Sequence, residues 1–274
     1  MRSASIALDS PPSSQYVSAI LMAAPYAKGD MFIEVKGTIS APYLSMTVKT
    51  MEAFGVSIIA RREGTTLRYV VPAPQRYVGC NFAIEPDASN ASYFLAAPAV
   101  TGGRITVEGI GTDSIQGDVR FVDLLERMGC TIERAADALT VEGPPAGTKL
   151  KALDVGLNAM PDMVQTVAVL ALFADGPTRV SNVANLRLKE TDRLGALAHE
   201  LTALGARVEE QSEGLTIHPP DRIEPAAINT YDDHRMAMSF ALAGLGADGV
   251  VINDPECVGK TFPDFFERWS RLTT

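Results

Sequence analysis

Four stretches of this chain repeat the same order of elements, and that repetition limits the fold more than any single motif. Each begins on a Ser or Asp, at Ser13-Ser14-Gln15, Asp87-Ala88-Ser89, Pro161-Asp162 and Asp232-Asp233. An apolar run follows each opening: QYVSAILMAAPYA, NASYFLAAPAV, MVQTVAVLALFA and HRMAMSFALAGL. Then come a β-rich run (FIEVKG, RITVEG, TRVSNV, VVINDP) and, in the first three units, an amphipathic helix ending in MEAFGVSI, LERMGCTI or LTALGARV. The glycines in those words, Gly55, Gly129 and Gly205, follow one another at intervals of about 75 residues. A last strand (TLRYVV, ALTVEG, GLTIHP) closes the first three units, and the fourth stops after its second helix. This order predicts an α/β protein of βαβαββ-like units. A period so long is not that of the common solenoids, so the units pack around shared cores.

The first helix of each unit is apolar all round and therefore belongs inside. Its polar residues gather at its N-terminus, where a Ser or Asp caps free backbone N–H groups. That end also carries the positive pole of the helix dipole. Several such helices pointing one way would make a shared seat for anions. Between the first and second units, residues 73–84 (APQRYVGCNFAI) interrupt the pattern with Pro and polar residues and read as a linker.

Composition narrows the function. The net charge of −9 and the lack of a Lys/Arg-rich block argue against a nucleic-acid or anionic-membrane partner. Cys80, Cys130 and Cys257 form no C-x-x-C pair and read as free thiols in a reducing compartment. The segment MRSASIALDS has no apolar signal core, and a cytoplasmic protein is expected. P-loop, G-x-S-x-G, Rossmann and His/Cys metal-spacing patterns are absent, so no metal or cofactor is expected.

Four clusters set charge or hydroxyls at helix starts. Ser13, Ser14 and Gln15 either form a plain cap or hold a phosphate on free N–H groups. Asp162 either caps the buried helix 163–174 or accepts a proton from a substrate hydroxyl. In NLRLKETDR (185–193), Lys189, Glu190 and Arg193 are spaced to share a helical face, as a solvated helix start or as an anion clamp with a proton-transfer carboxylate. In YDDHRMAM (231–238), Arg235 opens a helix too apolar to be exposed and needs a carboxylate or an anionic ligand, with Lys260 downstream in GKTFPDFF. His234 and His199 have no metal-ligand spacing and read as structural or exposed, and DASNASYF as capping and packing. The whole suits group transfer between small anionic molecules.

The words NLRLKETDRL, TYDDHRMAMSFALAGL, KTFPDFFE, PDASNASYFLAA and SSQYVSAILMAAP resemble the EPSP synthase (3-phosphoshikimate 1-carboxyvinyltransferase) family, in register from about residue 6 to residue 270. The resemblance implies an inside-out α/β barrel in each of two domains, hinged around a cleft. Residues 1–83 are then the third repeat, a remnant, of an incomplete N-terminal domain, and residues 84–274 the three-repeat C-terminal domain. The implied reaction moves the enolpyruvyl group of phosphoenolpyruvate to the 5-hydroxyl of shikimate 3-phosphate, releasing phosphate through a tetrahedral intermediate. Carried over by position, Ser13, Ser14 and Ser40 hold the shikimate phosphate, with Gln15 and Tyr43 near the ring. Asp162, Asn185 and Lys189 contact the shikimate hydroxyls, and Asp162 is the candidate base. Glu190 shuttles a proton at the methylene carbon, while Arg193, Arg235 and Lys260 clamp phosphoenolpyruvate. Ala41 departs from the pattern, standing where the family usually carries a basic residue. Family members also carry upstream residues that supply further substrate contacts. This chain is therefore expected to be a truncated product, gene fragment or half of a split enzyme, with that N-terminal segment as its partner. The alternative is a non-catalytic anion-binding relic of the same fold.

Overall fold

In a computed structural model that describes residues 3–272, the chain divides into two compact units. One carries the described residues through Ile84 together with Ile115–Gly117, and the other carries Glu85–Ser114 and the described residues from Asp118 onward.

In the first unit, β1 (Ala4–Asp9), α1 (Ser14–Ala23), β2 (Met31–Lys36), α2 (Ala41–Ala53), β3 (Ile59–Glu63) and β4 (Thr66–Val71) follow the predicted order. The sheet runs β1-β2-β4-β3, with β1 parallel to β2 and the other pairs antiparallel. Strand alternation sends Ile33, Val35, Leu67, Tyr69 and Val71 inward against Val17 and Leu21 of α1 and Leu44, Val48 and Met51 of α2. The opposite face carries Glu34, which pairs with Lys36 at 3.0 Å and Arg68 at 2.8 Å.

The second unit holds α3 (Ala88–Thr101), β5 (Arg104–Glu108), α4 (Phe121–Met128), β6 (Thr131–Arg134) and β7 (Ala138–Glu142). Next come β8 (Asp154–Gly156), α5 (Val164–Leu170), β9 (Thr178–Ser181), α6 (Arg193–Ala203), β10 (Arg207–Gln211) and β11 (Gly214–His218). It ends with β12 (Ala226–Ile228), α7 (His234–Phe240), α8 (Ala243–Gly246), β13 (Val250–Ile252) and α9 (Phe265–Ser270). Its sheets are variants of one plan. β8-β9-β11-β10 repeats the order of the first unit, β5-β7-β6 keeps its last three strands, and β12-β13 keeps the parallel opening pair. The landmark glycines close the second helices. Gly55, Gly129 and Gly205 have φ of 81°, 113° and 92°, the left-handed turn that ends a helix and that glycine adopts without a Cβ penalty.

Every residue of α5 and α7 is buried, as are ten of the fourteen in α3. Along their centre, Thr166 lies 3.5 Å from both Ser92 and Ser239, a buried hydroxyl string joining the three helices. α1 departs from the expectation of a wholly enclosed helix. Only Ser14, Val17 and Leu21 are buried, whereas Tyr16 is 60% and Met22 49% exposed. The reason is geometric: within its unit α1 has the sheet and α2 to pack against, which cover one side. No helix among the described residues is long and apolar enough to cross a membrane.

Candidate active site

Three helix starts converge in the second unit, and side-chain contacts establish it. Arg235, at the start of α7, donates to Ser89 Oγ at the start of α3 (3.0 Å), to Tyr93 Oη (3.3 Å) and to Asp162 ahead of α5 (3.0 Å). Asp233 caps α7 through the Arg235 backbone N–H at 2.9 Å, and Asp87 caps α3 through Ser89 and Asn90. Asp162 sits in the 3-10 turn Pro161–Met163 and gives its carboxylate to the two arginines instead of capping. Three of the four helix starts singled out in the sequence are thus brought together, with cations and carboxylates among them.

Arg193 is the hub. It is 1% exposed, and its guanidinium donates to Asp233 (2.7 and 3.3 Å), Asp162 (3.2 Å) and Glu190 (2.8 Å). Three carboxylates around one guanidinium would repel one another without further cations, and Arg235 and Lys260 supply them. Lys260 Nζ stands 2.6 Å from Glu190, brought there by the 3-10 turn Pro255–Lys260. The aromatic residues that follow it anchor this segment: Phe265 and Trp269 stack on each other and meet Tyr93 and Phe94 of α3 edge-on, and Phe262 packs at a tilt on Phe94.

The charge balance sets the proton affinities. Burial pushes the Asp162 carboxyl up, but Arg235, Arg193 and Lys189 outweigh it and leave the group below the usual range. Burial also works to raise Glu190, and it is overcome by the Lys260 hydrogen bond and the Arg193 charge, which hold it at about 2. His234 is 2% exposed, and burial together with Arg235 pushes its imidazole below the usual value. His199, by contrast, is 70% exposed at its side chain.

The expected single helical face for Lys189, Glu190 and Arg193 does not form. Residues Ala184–Leu188 make a 3-10 turn, and α6 starts only at Arg193. Asp192 caps α6 by accepting from Gly195 N–H at 3.2 Å, which stops the helix from extending back to Lys189. The Glu190–Arg193 pair survives across the cap. Lys189 has no ion-pair partner among the described residues, and Asn185 presents a buried Oδ1 without a hydrogen bond.

In the first unit, Ser13 caps α1 by accepting from Gln15 N–H at 3.2 Å, Ser14 is buried and Gln15 is exposed. Ser40 is the buried residue preceding α2, and Tyr43 lies in that helix's first turn. The two helices follow the parallel strands β1 and β2, so both start at the same end of the sheet. The turns leading into them touch: Ser10 N–H donates to Lys36 O at 2.9 Å, and a Cβ on Gly37 (φ 90°) would meet Ser10 Oγ at 2.4 Å. Glycine is needed there on both counts.

Sequence reasoning missed three members of the network. Ser89 and Tyr93, read as capping and packing, are Arg235 partners, and Asp233 is the main partner of Arg193. A tyrosine inside an apolar helix was a signal for the second, because a buried phenol requires a polar partner.

Comparison with known proteins places this geometry. Residues 1–269 match the family EPSP synthase (3-phosphoshikimate 1-carboxyvinyltransferase). The chain is 50% identical over 267 residues to the chloroplastic 3-phosphoshikimate 1-carboxyvinyltransferase of Arabidopsis thaliana, covering 95% of this chain and 51% of that protein. To the 3-phosphoshikimate 1-carboxyvinyltransferase of Vibrio cholerae it is 46% identical over 275 residues, covering 100% of this chain and 63% of the relative. Among solved structures, EPSP synthase from Acinetobacter baumannii superposes with a TM-score of 0.76 at 25% identity, over 97% of this chain and 62% of that one. The enolpyruvyl transferase NikO from Streptomyces tendae shares the fold, with a TM-score of 0.73 at 20% identity. The chain thus spans about half to two thirds of the length of these relatives.

Proposed function

This chain belongs to the EPSP synthase family, and from that premise we propose that it supplies the catalytic cluster for transfer of the enolpyruvyl group of phosphoenolpyruvate to the 5-hydroxyl of shikimate 3-phosphate. The observation that carries the proposal is the network of Arg193, Arg235 and Lys260 with Asp162 and Glu190 at three converging helix starts. Cations and ionised carboxylates interleaved in this way suit a reaction that binds an anion and moves protons beside it.

In this reading Arg235, Lys260 and Arg193 face the phosphate and carboxylate of phosphoenolpyruvate. Asp162, held ionised by its arginines, takes the proton of the 5-hydroxyl as that oxygen bonds to C2 of phosphoenolpyruvate. Glu190 delivers a proton to the C3 methylene and later removes one, as the C2–O bond to phosphate breaks. With its carboxyl at about 2, Glu190 is ionised at neutral pH and carries no proton to donate. An arriving anion competes for Lys260 and so weakens the interaction that most lowers it, which favours the protonated form. Lys189 and Asn185 contact the shikimate hydroxyls, consistent with an unpaired ammonium and an unbonded amide oxygen. Ser13, Ser14 and Ser40, with Gln15 and Tyr43 beside them, take the 3-phosphate at the helix starts of the first unit.

The finer architecture belongs to the same reading: an inside-out α/β barrel, a three-repeat domain over residues 84–274 and a partial one over 1–83, completed by a further segment of the enzyme. Three free cysteines suit a reducing compartment such as the cytoplasm. The test is turnover of this chain with phosphoenolpyruvate and shikimate 3-phosphate, alone and with the remaining part of the Vibrio relative supplied as a separate chain. Phosphate release that requires both substrates supports the proposal. No release under either condition, with phosphoenolpyruvate bound, turns the assignment to the non-catalytic anion-binding alternative.

A further inference from the structure

The buried face of α6 carries a second acidic group that the chemistry above leaves unused. Glu200 is 1% exposed and stands seven residues after Arg193, two helical turns along the same face and about 10 Å further on. Its carboxylate accepts from the Asn229 backbone N–H (3.1 Å), the Asn229 side-chain amide (3.3 Å) and Tyr231 Oη (2.6 Å). Arg193 at the other end of the face holds Asp233. One helix therefore grips the segment Asn229–Asp233 at both of its ends.

What lies between the grips is costly backbone. Tyr231 and Asp232 both have φ of 56°, two successive non-glycine residues in the left-handed region. Such a pair persists only where its surroundings impose it. Immediately after it come Asp233, which caps α7, and Arg235, which reaches Asp162, Ser89 and Tyr93. Burial and the Glu200 carboxylate push the Tyr231 phenol up to about 12, so it stays a proton donor to Glu200.

We propose that Glu200 is a positioning residue for the anion site, fixing the Asn229–Asp232 turn so that Asp233 and Arg235 are presented to the cluster. It touches no reacting atom and acts through that turn. The inference rests on the proposed function for its ligand, phosphoenolpyruvate, while its structural half stands by itself.

The experiment uses the full chain as wild type, Glu200→Ala, Glu200→Gln and Tyr231→Phe, with two readouts. In the first, amide hydrogen exchange, Glu200→Ala is expected to speed the amides of Asp233, Arg235 and Met236 by about tenfold or more, leaving α5 unchanged. Glu200→Gln, which keeps an acceptor and can donate to the phenol oxygen, restores most of that protection, and Tyr231→Phe gives an intermediate loss. The second readout is phosphoenolpyruvate binding by calorimetry, expected to weaken by about tenfold in Glu200→Ala and to recover in Glu200→Gln. Exchange that rises equally in α5 and α7 marks a merely structural residue and overturns the proposal. So does a local loss of protection at unchanged phosphoenolpyruvate affinity. If the wild-type chain binds no phosphoenolpyruvate even with the complementing part of the Vibrio relative supplied, the proposed function fails, and the exchange pattern alone decides whether Glu200 holds the turn.

Discussion

Replacing Arg193 by Met keeps the apolar stem of the side chain and removes the charge that three carboxylates share. The remaining cations divide the damage unequally. Asp162 keeps Arg235 at 3.0 Å and Glu190 keeps Lys260 at 2.6 Å. Asp233, at 0% exposure, keeps the Arg235 backbone N–H, with His234 Nδ1 3.8 Å away, and loses its guanidinium altogether. One buried carboxylate is left without its cation, and breaking a buried pair in that way costs about 3–5 kcal/mol. With two of the three partners still compensated, the lower end, about 3 kcal/mol at pH 7, is expected. Trp269, the only tryptophan of the chain, is 7% exposed in the same unit, so its fluorescence follows urea unfolding of the part that matters. The pH dependence supplies a second signature. In the wild type Glu190 sits at about 2 against an ordinary 4.5. Its contribution is therefore complete above about 4.5 and disappears as the pH falls toward 2. Asp162 is likewise lowered from 3.8, so its contribution fades only as the pH drops below that value. Between pH 7 and 5 these two carboxylates leave wild-type stability flat. A loss below about 1 kcal/mol at pH 7 would refute the claim that Arg193 neutralises a buried acidic cluster.

Three further outcomes follow from the same geometry. Glu190→Gln, assayed with the complementing part of a relative, is expected to lower kcat by about 100-fold or more, the scale of a general acid–base group, and a change under about threefold assigns Glu190 to a solvated role. Arg235→Ala is expected to weaken phosphoenolpyruvate binding by about 2–5 kcal/mol in calorimetry with shikimate 3-phosphate affinity nearly unchanged, and the opposite pattern reverses the two ligand sides. Hydrogen exchange is expected to be slow in α5 and α7, where every residue is buried, and faster in α1, where Tyr16 and Met22 face solvent; equal protection in all three contradicts the one-sided packing of α1.

The repeat was legible because its parts are local. Apolar runs, glycine helix ends and alternating strands are each written in ten or fifteen neighbouring residues, and the sheet order follows from applying one unit several times. Helix continuity was less so. The run MVQTVAVLALFA divides into a 3-10 turn, α5 and a second 3-10 turn, and HRMAMSFALAGL into α7 and α8. These breaks fall between apolar residues of similar propensity and reflect packing at close quarters. Gly246 at the end of α8, for instance, leaves no room for a Cβ beside Phe173, only 2.4 Å away. The charged residues of the cluster were legible from an energetic conflict, since ionisable groups at the mouth of an all-apolar helix demand partners. Which partner each would take was not. Arg193 and Asp233 are 40 residues apart in the chain, and either of two other carboxylates was equally available by composition. The break before Arg193 turned on Asp192, one more acidic residue in a charged stretch until its carboxylate is seen on Gly195 N–H.

The repeat also explains how one unit can be used several times without building the same site several times. The three buried helices of the second unit share an apolar body, joined through Ser92, Thr166 and Ser239, and differ at their openings. Asp87 spends its carboxylate on its own helix start and on Ser89 Oγ at 2.6 Å, and that serine in turn accepts from Arg235. Asp162, in the same place on the next helix, caps nothing and binds two arginines. Asp233 does both, capping α7 and holding Arg193. The same acidic residue at three similar openings therefore takes a structural role, a charged role exposed at its edge, and a bridge between them. Because the bodies are close-packed, the distances among the openings are fixed by the core. The three openings therefore differ in charge while the core holds them at set distances, and Arg235 ties them together through Ser89, Tyr93 and Asp162.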